Sequence, residues 1–202
     1  MSLTLYNKKR KFEQTPEPKG TKQKKSSGLR FVVQKHDASH LHYDFRLEME
    51  GVMKSWAVPK GPSMDPSIKR LAMPTEDHPI SYNTFEGSIP EGNYGAGDVI
   101  VWDKGIYHSE NTDERDESEK EFLRGLKSGK FKFIIEGEKL KGLFSLFRLG
   151  DQKGWMLVKG KDNYATSDDV TADPRSVLSG RMLIGRKEDT TKYKEKISKL
   201  KK

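Results

Sequence analysis

The sequence predicts an all-β domain, its sheet closed into a barrel or folded as a sandwich. Eight short runs alternate apolar with polar residues, clusters of glycine and proline separate them, and one stretch alone has helical spacing. Residues 1–30 are polar and basic, and "TPEPKGTKQKKSSG" within them reads as a linker or an arm laid over a surface. The strands follow in the order "LRFVVQKH", "LHYDFRLEME", "VMKSWAVP", "RLAMPT", "DVIVWDKGIYH", "KFKFIIEG", "KLKGLFSLFRL" and "GWMLVKGKD", each bounded by turn residues. "DERDESEKEFLRGLKSG" is the helix, weakly amphipathic. Trp56, Trp102 and Trp155 sit inside apolar strand runs and are assigned to the core. The domain is expected to span residues 31–165, and residues 166–202 form an extension that ends in a charged helix or a disordered tail.

Composition narrows the function. The 202-residue chain has no cysteine, which excludes disulfides and thiolate-bound zinc and suits a reducing compartment. No apolar run approaches the roughly 18 residues needed to cross a bilayer, and the N-terminus lacks an apolar signal core, so a cytoplasmic protein is expected. The net charge of +8 is uneven: residues 1–30 carry +7 and residues 186–202 carry +5, leaving −4 for the interior. Basic arms on a mildly acidic body suit a polyanionic partner, nucleic acid first of all.

The stretch "QKHDASHLHYDFRLEME" holds three of the five histidines within seven positions. Strand parity divides it. Leu41, Tyr43, Phe45, Leu47 and Met49 form one face, for the core, and His42, Asp44, Arg46 and Glu48 form the other. His42 and Asp44 are neighbours on that face and suit one divalent ion, and a mixed imidazole and carboxylate set favours manganese, iron or zinc. Parity leaves His36 and His40 equal candidates for a third ligand.

Two metal chemistries suit this set. A His-x-Asp pair with a distant histidine, His78 or His108, is the pattern of non-haem iron oxygenases. Metal-assisted phosphoester hydrolysis is the other, and Arg46 on the same face favours it because a guanidinium grips phosphate bidentately. A non-catalytic module that binds nucleic-acid ends would use the same basic arms. His78, ahead of Pro79, suits a general acid or an oxyanion donor. Lys60, Lys69 and Arg70 are basic residues near the same turns, suited to phosphate contacts or to ordinary surface charge. "IPEGNYGAGDV" is rich in glycine but has neither lysine nor a following helix, and reads as a hairpin connection.

"FVVQKHDASHLHYDFRLEMEGVMKSWAVPKGPS", "KRLAMPTEDHPISYNTFEGSIPEGNYGAGDVIVWDKG" and "GWMLVKGKD", with "KRKFEQTPEP" upstream, resemble the 3′-phosphoesterase module of bacterial DNA ligase D and its stand-alone bacterial and archaeal relatives. The similarity runs in order from Tyr6 to Ala165, and the His-x5-His-x-Asp-x-Arg block is its most specific part. The resemblance implies a compact eight-stranded β-barrel with a polar, crescent-shaped active-site groove. It implies a manganese-dependent enzyme, other divalent transition metals being alternatives. Such an enzyme removes a 3′-terminal ribonucleoside from a primer–template and then the remaining 3′-phosphate, leaving a 3′-hydroxyl for repair.

Carried over by position, the resemblance makes His36, His42 and Asp44 the metal ligands and His40 a bystander. It makes Arg46 and His78 the catalytic groups on the scissile phosphate, and Arg10, Glu17, Gln34, Lys60, Arg70 and Tyr82 supporting contacts. The family pattern carries an acid after "KR", where this chain has Lys11, so a weaker diesterase step is expected. A monomer that works with a DNA ligase and a polymerase in trans is the expected assembly.

Overall fold

The computed structural model describes residues 3–21, 26–150 and 154–184. Eight strands close an antiparallel barrel in the order β1 (Leu29–Asp37), β2 (Leu41–Met49), β3 (Val52–Val58), β4 (Lys69–Pro74), β10 (Trp155–Lys159), β9 (Lys141–Arg148), β8 (Lys130–Gly137) and β7 (Gly97–Ser109), and β7 pairs back with β1. These eight staves are the eight runs expected from alternation. Two strands too short to show a period complete the sheet: β5 (His78–Pro79) extends it beside β3, and β6 (Gly87–Ile89) beside β7.

The barrel interior is aromatic. Phe31 and Val33 of β1, Tyr43, Phe45 and Leu47 of β2, and Trp56, Trp102, Phe133, Phe144 and Trp155 form one buried cluster. All three tryptophans are therefore core, as expected. The core face of β2 reads Tyr43, Phe45, Leu47, Met49, the odd positions; Leu41, at the strand's edge, is half-buried. The β2–β3 turn is Glu50–Gly51, with φ of 53° and 74°, and it pairs Met49 with Val52. Two consecutive left-handed residues give a twist matched to the hairpin, and glycine takes the second without strain.

Helix α2 (Arg115–Ser128) packs on the barrel through Phe122, which stacks on Tyr107 at 4.9 Å. Its first residue, Arg115, donates to Glu48 at 2.9 Å, so the last polar position of the β2 face is a structural tie and not part of any groove. The N-terminal arm holds a short helix, α1 (Thr4–Lys8), and docks by burying Tyr6 against Tyr82, Phe85, Ile89 and Val99. In the C-terminal extension, residues 166–184 are mostly irregular, with one 3₁₀ turn at Val170–Ala172. Trp102 donates to the Asp173 carbonyl at 2.7 Å and Val177 to that of Val101 at 3.0 Å, and these bonds hold the segment to β7. The expected terminal helix or tail over residues 189–202 lies outside the described residues.

Candidate active site

The β1–β2 pairing assembles the centre. The tight connection Ala38–His40 sets a register in which His36 faces His42, Gln34 faces Asp44 and Val32 faces Arg46. The two imidazoles lie 4.7 Å apart between centroids, and Asp44 sits diagonally between them. One nitrogen or oxygen atom each of His36, His42 and Asp44 lies within 4.8 Å of the others, so the three side chains could hold one metal ion. His40 is exposed and stands outside it.

Each imidazole is oriented by a backbone carbonyl. The Nε2–H of His36 donates to the Gly95 carbonyl at 2.9 Å, and the Nδ1–H of His42 donates to the His40 carbonyl at 2.9 Å. A carbonyl only accepts, so that nitrogen of each ring carries a proton and the other is turned toward Asp44: His36 Nδ1 is 3.5 Å and His42 Nε2 3.6 Å from its carboxylate. Gly95 has φ 77°, which glycine adopts freely, and that turn aims the carbonyl at His36. Burial opposes the charge on Asp44, but Arg46 and the two imidazoles hold its carboxyl well below the usual range. Two imidazole nitrogens and an anionic oxygen thus face one point, the donor types that suit a divalent transition metal, which would displace any proton held between them.

Arg46 stands behind the cluster with its side chain only 3% exposed. Its Nε donates to Gln34 Oε1 at 2.8 Å, its Nη2 to Asp44 at 3.0 Å, and its Nη1 lies 2.9 Å from His78 Nδ1. Gln34 is fixed in turn by donating to the Tyr82 and Phe85 carbonyls at 3.1 and 3.0 Å. The arm delivers a second guanidinium. Arg10 bonds Glu17 at 2.8 Å and Glu76 at 2.9 Å, stacks on Tyr6 at 3.9 Å, and places Nη2 at 3.1 Å from His78 Nε2.

His78 therefore lies between two guanidiniums. Burial first, then Arg46 and Arg10, push its pKa well below the ordinary 6.5. A guanidinium only donates, so Nε2 accepts from Arg10, and Nδ1–H donates to the Glu76 carbonyl at 2.9 Å. Tyr82 donates to Glu17 at 2.8 Å; burial and then Glu17 raise its pKa well above 10.0, which keeps the hydroxyl protonated.

Arg10, His36, His42, Asp44, Arg46, His78 and Tyr82 line one cavity of about 250 Å³. Gln34 and Glu17 support it from behind. Lys60 and Arg70 are not brought there: Lys60 is exposed after β3, and Arg70 lies on β4 opposite Leu157. His108 is equally remote, 3.3 Å from Glu136 on the barrel wall, and His78 meets the arginines, so neither completes an oxygenase-type set with His42 and Asp44. The cavity also contains residues that sequence reasoning missed, chiefly Glu76 and Tyr94. Glu76 ties Arg10 and Lys9 at 2.9 and 3.1 Å across 66 and 67 positions of sequence, and no local pattern signals such a pairing.

A family model described as the DNA ligase D 3′-phosphoesterase domain matches residues 34–148, more than half of the chain. The chain belongs to the DNA ligase D 3′-phosphoesterase family. Among curated relatives, the multifunctional non-homologous end joining protein LigD of Pseudomonas aeruginosa is 53% identical over 193 residues, covering 91% of this chain and 22% of that protein. The LigD protein of Mycobacterium bovis is 42% identical over 155 residues (76% and 19%), and that of Mycolicibacterium smegmatis 40% over 167 residues (79% and 21%). This phosphoesterase-family chain spans about a fifth of the length of these relatives. No helix among its described residues is long and apolar enough to cross a membrane.

Proposed function

We propose that this chain heals 3′ ends of nucleic acid in two steps, removing a terminal ribonucleoside and then the 3′-phosphate to leave a 3′-hydroxyl. One observation carries the reading: a single cavity joins a His36–His42–Asp44 ligand cluster to two guanidiniums and a buried histidine. Two imidazoles and a carboxylate also suit iron, but two guanidiniums lining the same cavity match the higher charge of a phosphoryl group.

A divalent ion such as Mn²⁺, held by His36, His42 and Asp44, would act as a Lewis acid on phosphoryl oxygen. Arg46 donates to Gln34 and Asp44 and has further N–H groups to offer the phosphate. Arg10 grips from the arm side. A bound phosphate would offset the two guanidiniums beside His78 and favour its protonated form, with the proton drawn from solvent, and that imidazolium would donate to the developing oxyanion. Gln34, Glu17 and Glu76 position the arginines, and Tyr82 gives a neutral hydroxyl on the same wall. Non-homologous end joining is the setting the relatives' names suggest, with ligase and polymerase functions supplied by partners or by further domains.

The test is a primer–template ending in one ribonucleotide, incubated with Mn²⁺ or with EDTA. We expect a 3′-phosphate intermediate and a 3′-hydroxyl product with Mn²⁺ alone. Neither product forming would leave the end-binding module as the better reading. Lys11, exposed beside Arg10, replaces the acid of the family pattern. Lys11→Asp should raise the diesterase rate relative to the monoesterase rate, and an unchanged ratio removes any role for this position.

A further inference from the structure

The connection between β6 and β7 carries one aromatic ring to the mouth of the cavity. Tyr94 lines it beside Gly95 and is 50% exposed, whereas Tyr82 in the same lining is 2% exposed. Arg46 lies 5.0 Å from the centroid of Tyr82, and the rings of His36 and His42 are packed on each other as ligands. Tyr164, also exposed among the described aromatics, does not line the cavity. Tyr94 is thus the exposed aromatic ring of the cavity lining, with Lys9 and, at 5.8 Å, Arg10 over it and half of its surface left to solvent.

We propose that Tyr94 is the platform on which the terminal nucleobase of the substrate strand stacks. The proposal rests on the reading of this cavity as a 3′-end phosphoesterase site. The backbone beside the ring and the ring's hydroxyl are both tied. Its neighbour Gly95 gives its carbonyl to His36 at 2.9 Å, and its hydroxyl receives Lys9 Nζ at 3.1 Å. Lys9 also lies 4.2 Å from the ring centroid and is itself tied to Glu76 at 3.1 Å. A ring tethered in this way loses little freedom when a base lands on it.

The placement suits the substrate. The ligand cluster and the arginines fix the phosphate, and the sugar and base attached to it must lie within one nucleotide of those groups. Tyr94 stands one residue from the carbonyl that orients His36, so it is within that reach. Arginine and metal contacts read phosphate alike in any molecule, and a stacked base marks it as the end of a nucleic acid. Every base has a π-face, so this contact accepts any terminal base, with purines favoured slightly by area.

The experiment compares a primer–template bearing a 3′-phosphate on an ordinary terminal nucleotide with one whose terminal nucleotide is abasic. Kd by fluorescence anisotropy and kcat and KM by product release are measured with Mn²⁺ for wild type, Tyr94→Ala and Tyr94→Phe. In wild type, loss of the base should raise Kd and KM about tenfold with kcat little changed, and Tyr94→Phe should behave alike. In Tyr94→Ala the two substrates should bind equally. A base dependence that survives in Tyr94→Ala, or is lost in Tyr94→Phe, or is missing from wild type, overturns the stacking role. Base-dependent Kd without turnover in wild type would instead support stacking and sink the phosphoesterase reading.

Discussion

His36 and His40 are four positions apart in sequence, but only one has its side chain in the cavity. His36 is buried opposite His42, whereas His40 contributes its backbone carbonyl, which any residue could supply. His36→Ala should therefore abolish both turnover and Mn²⁺ binding, and His40→Ala should change each by no more than about twofold. Steady-state rates and titration calorimetry check this, and equal losses in the two variants would refute the ligand assignment. His78 makes a pH prediction. Its folded pKa lies below the ordinary 6.5, because burial and then Arg46 and Arg10 disfavour the imidazolium. Below pH 6.5 the unfolded chain then binds more protons than the folded one, so stability falls as pH falls. Between pH 6.5 and 5.5 this group should cost about 1 kcal/mol, and His78→Asn should flatten the slope by that amount in urea unfolding. A slope unchanged in the variant would show that His78 titrates normally.

At the scale of elements, the β1–β2 hairpin and helix α2 divide the labour. The hairpin carries ligands, Gln34 and Arg46 on one side and the core aromatics on the other, so one register serves site and core together. A slip by one residue would turn Phe45 and Leu47 outward and His42, Asp44 and Arg46 into the barrel. Helix α2 pins the far end of the same strand. Glu48, fully buried, accepts from Arg115 at 2.9 Å and from the Arg30 backbone N–H at 3.2 Å. Arg115→Ala leaves this carboxylate without its buried partner and should cost about 3 kcal/mol by urea denaturation. A loss under about 1 kcal/mol would mean that Arg30 or water replaces it.

At the scale of the molecule, a closed barrel lends one opening to chemistry and the arm completes it. Tyr6 is fully buried against the 3₁₀ segment Ile80–Thr84 and β6, and this docking carries Arg10 to His78. Charge then sets how the whole protein meets its substrate. Residues 186–202 carry +5, and cations that neutralise phosphates release counterions, so affinity falls steeply with salt. Replacing Lys192, Lys194, Lys196 and Lys199 with glutamine should lower the slope of log K against log salt by about 3 to 4 if all four meet phosphate. An unchanged slope would assign the basic terminus to solubility alone.

Alternation determined the eight barrel staves and the buried faces, because side chains on a strand change sides at every residue whatever the partner. It also placed His42, Asp44 and Arg46 on one face, and the resemblance chose His36 over His40 and added Arg10 and Glu17. What the sequence could not show was pairing across distance. Only the register of β1 on β2 decides between His36 and His40 on physical grounds, and only folding brings Glu76 to Arg10 or turns Gly95 toward His36. Lys60 and Arg70, basic residues suited to phosphate contacts, do not line this cavity, and their distance from it is likewise set by how the sheet closes. The local period of a strand is written in consecutive residues, whereas a cavity wall is built from side chains whose closeness depends on how the sheet closes.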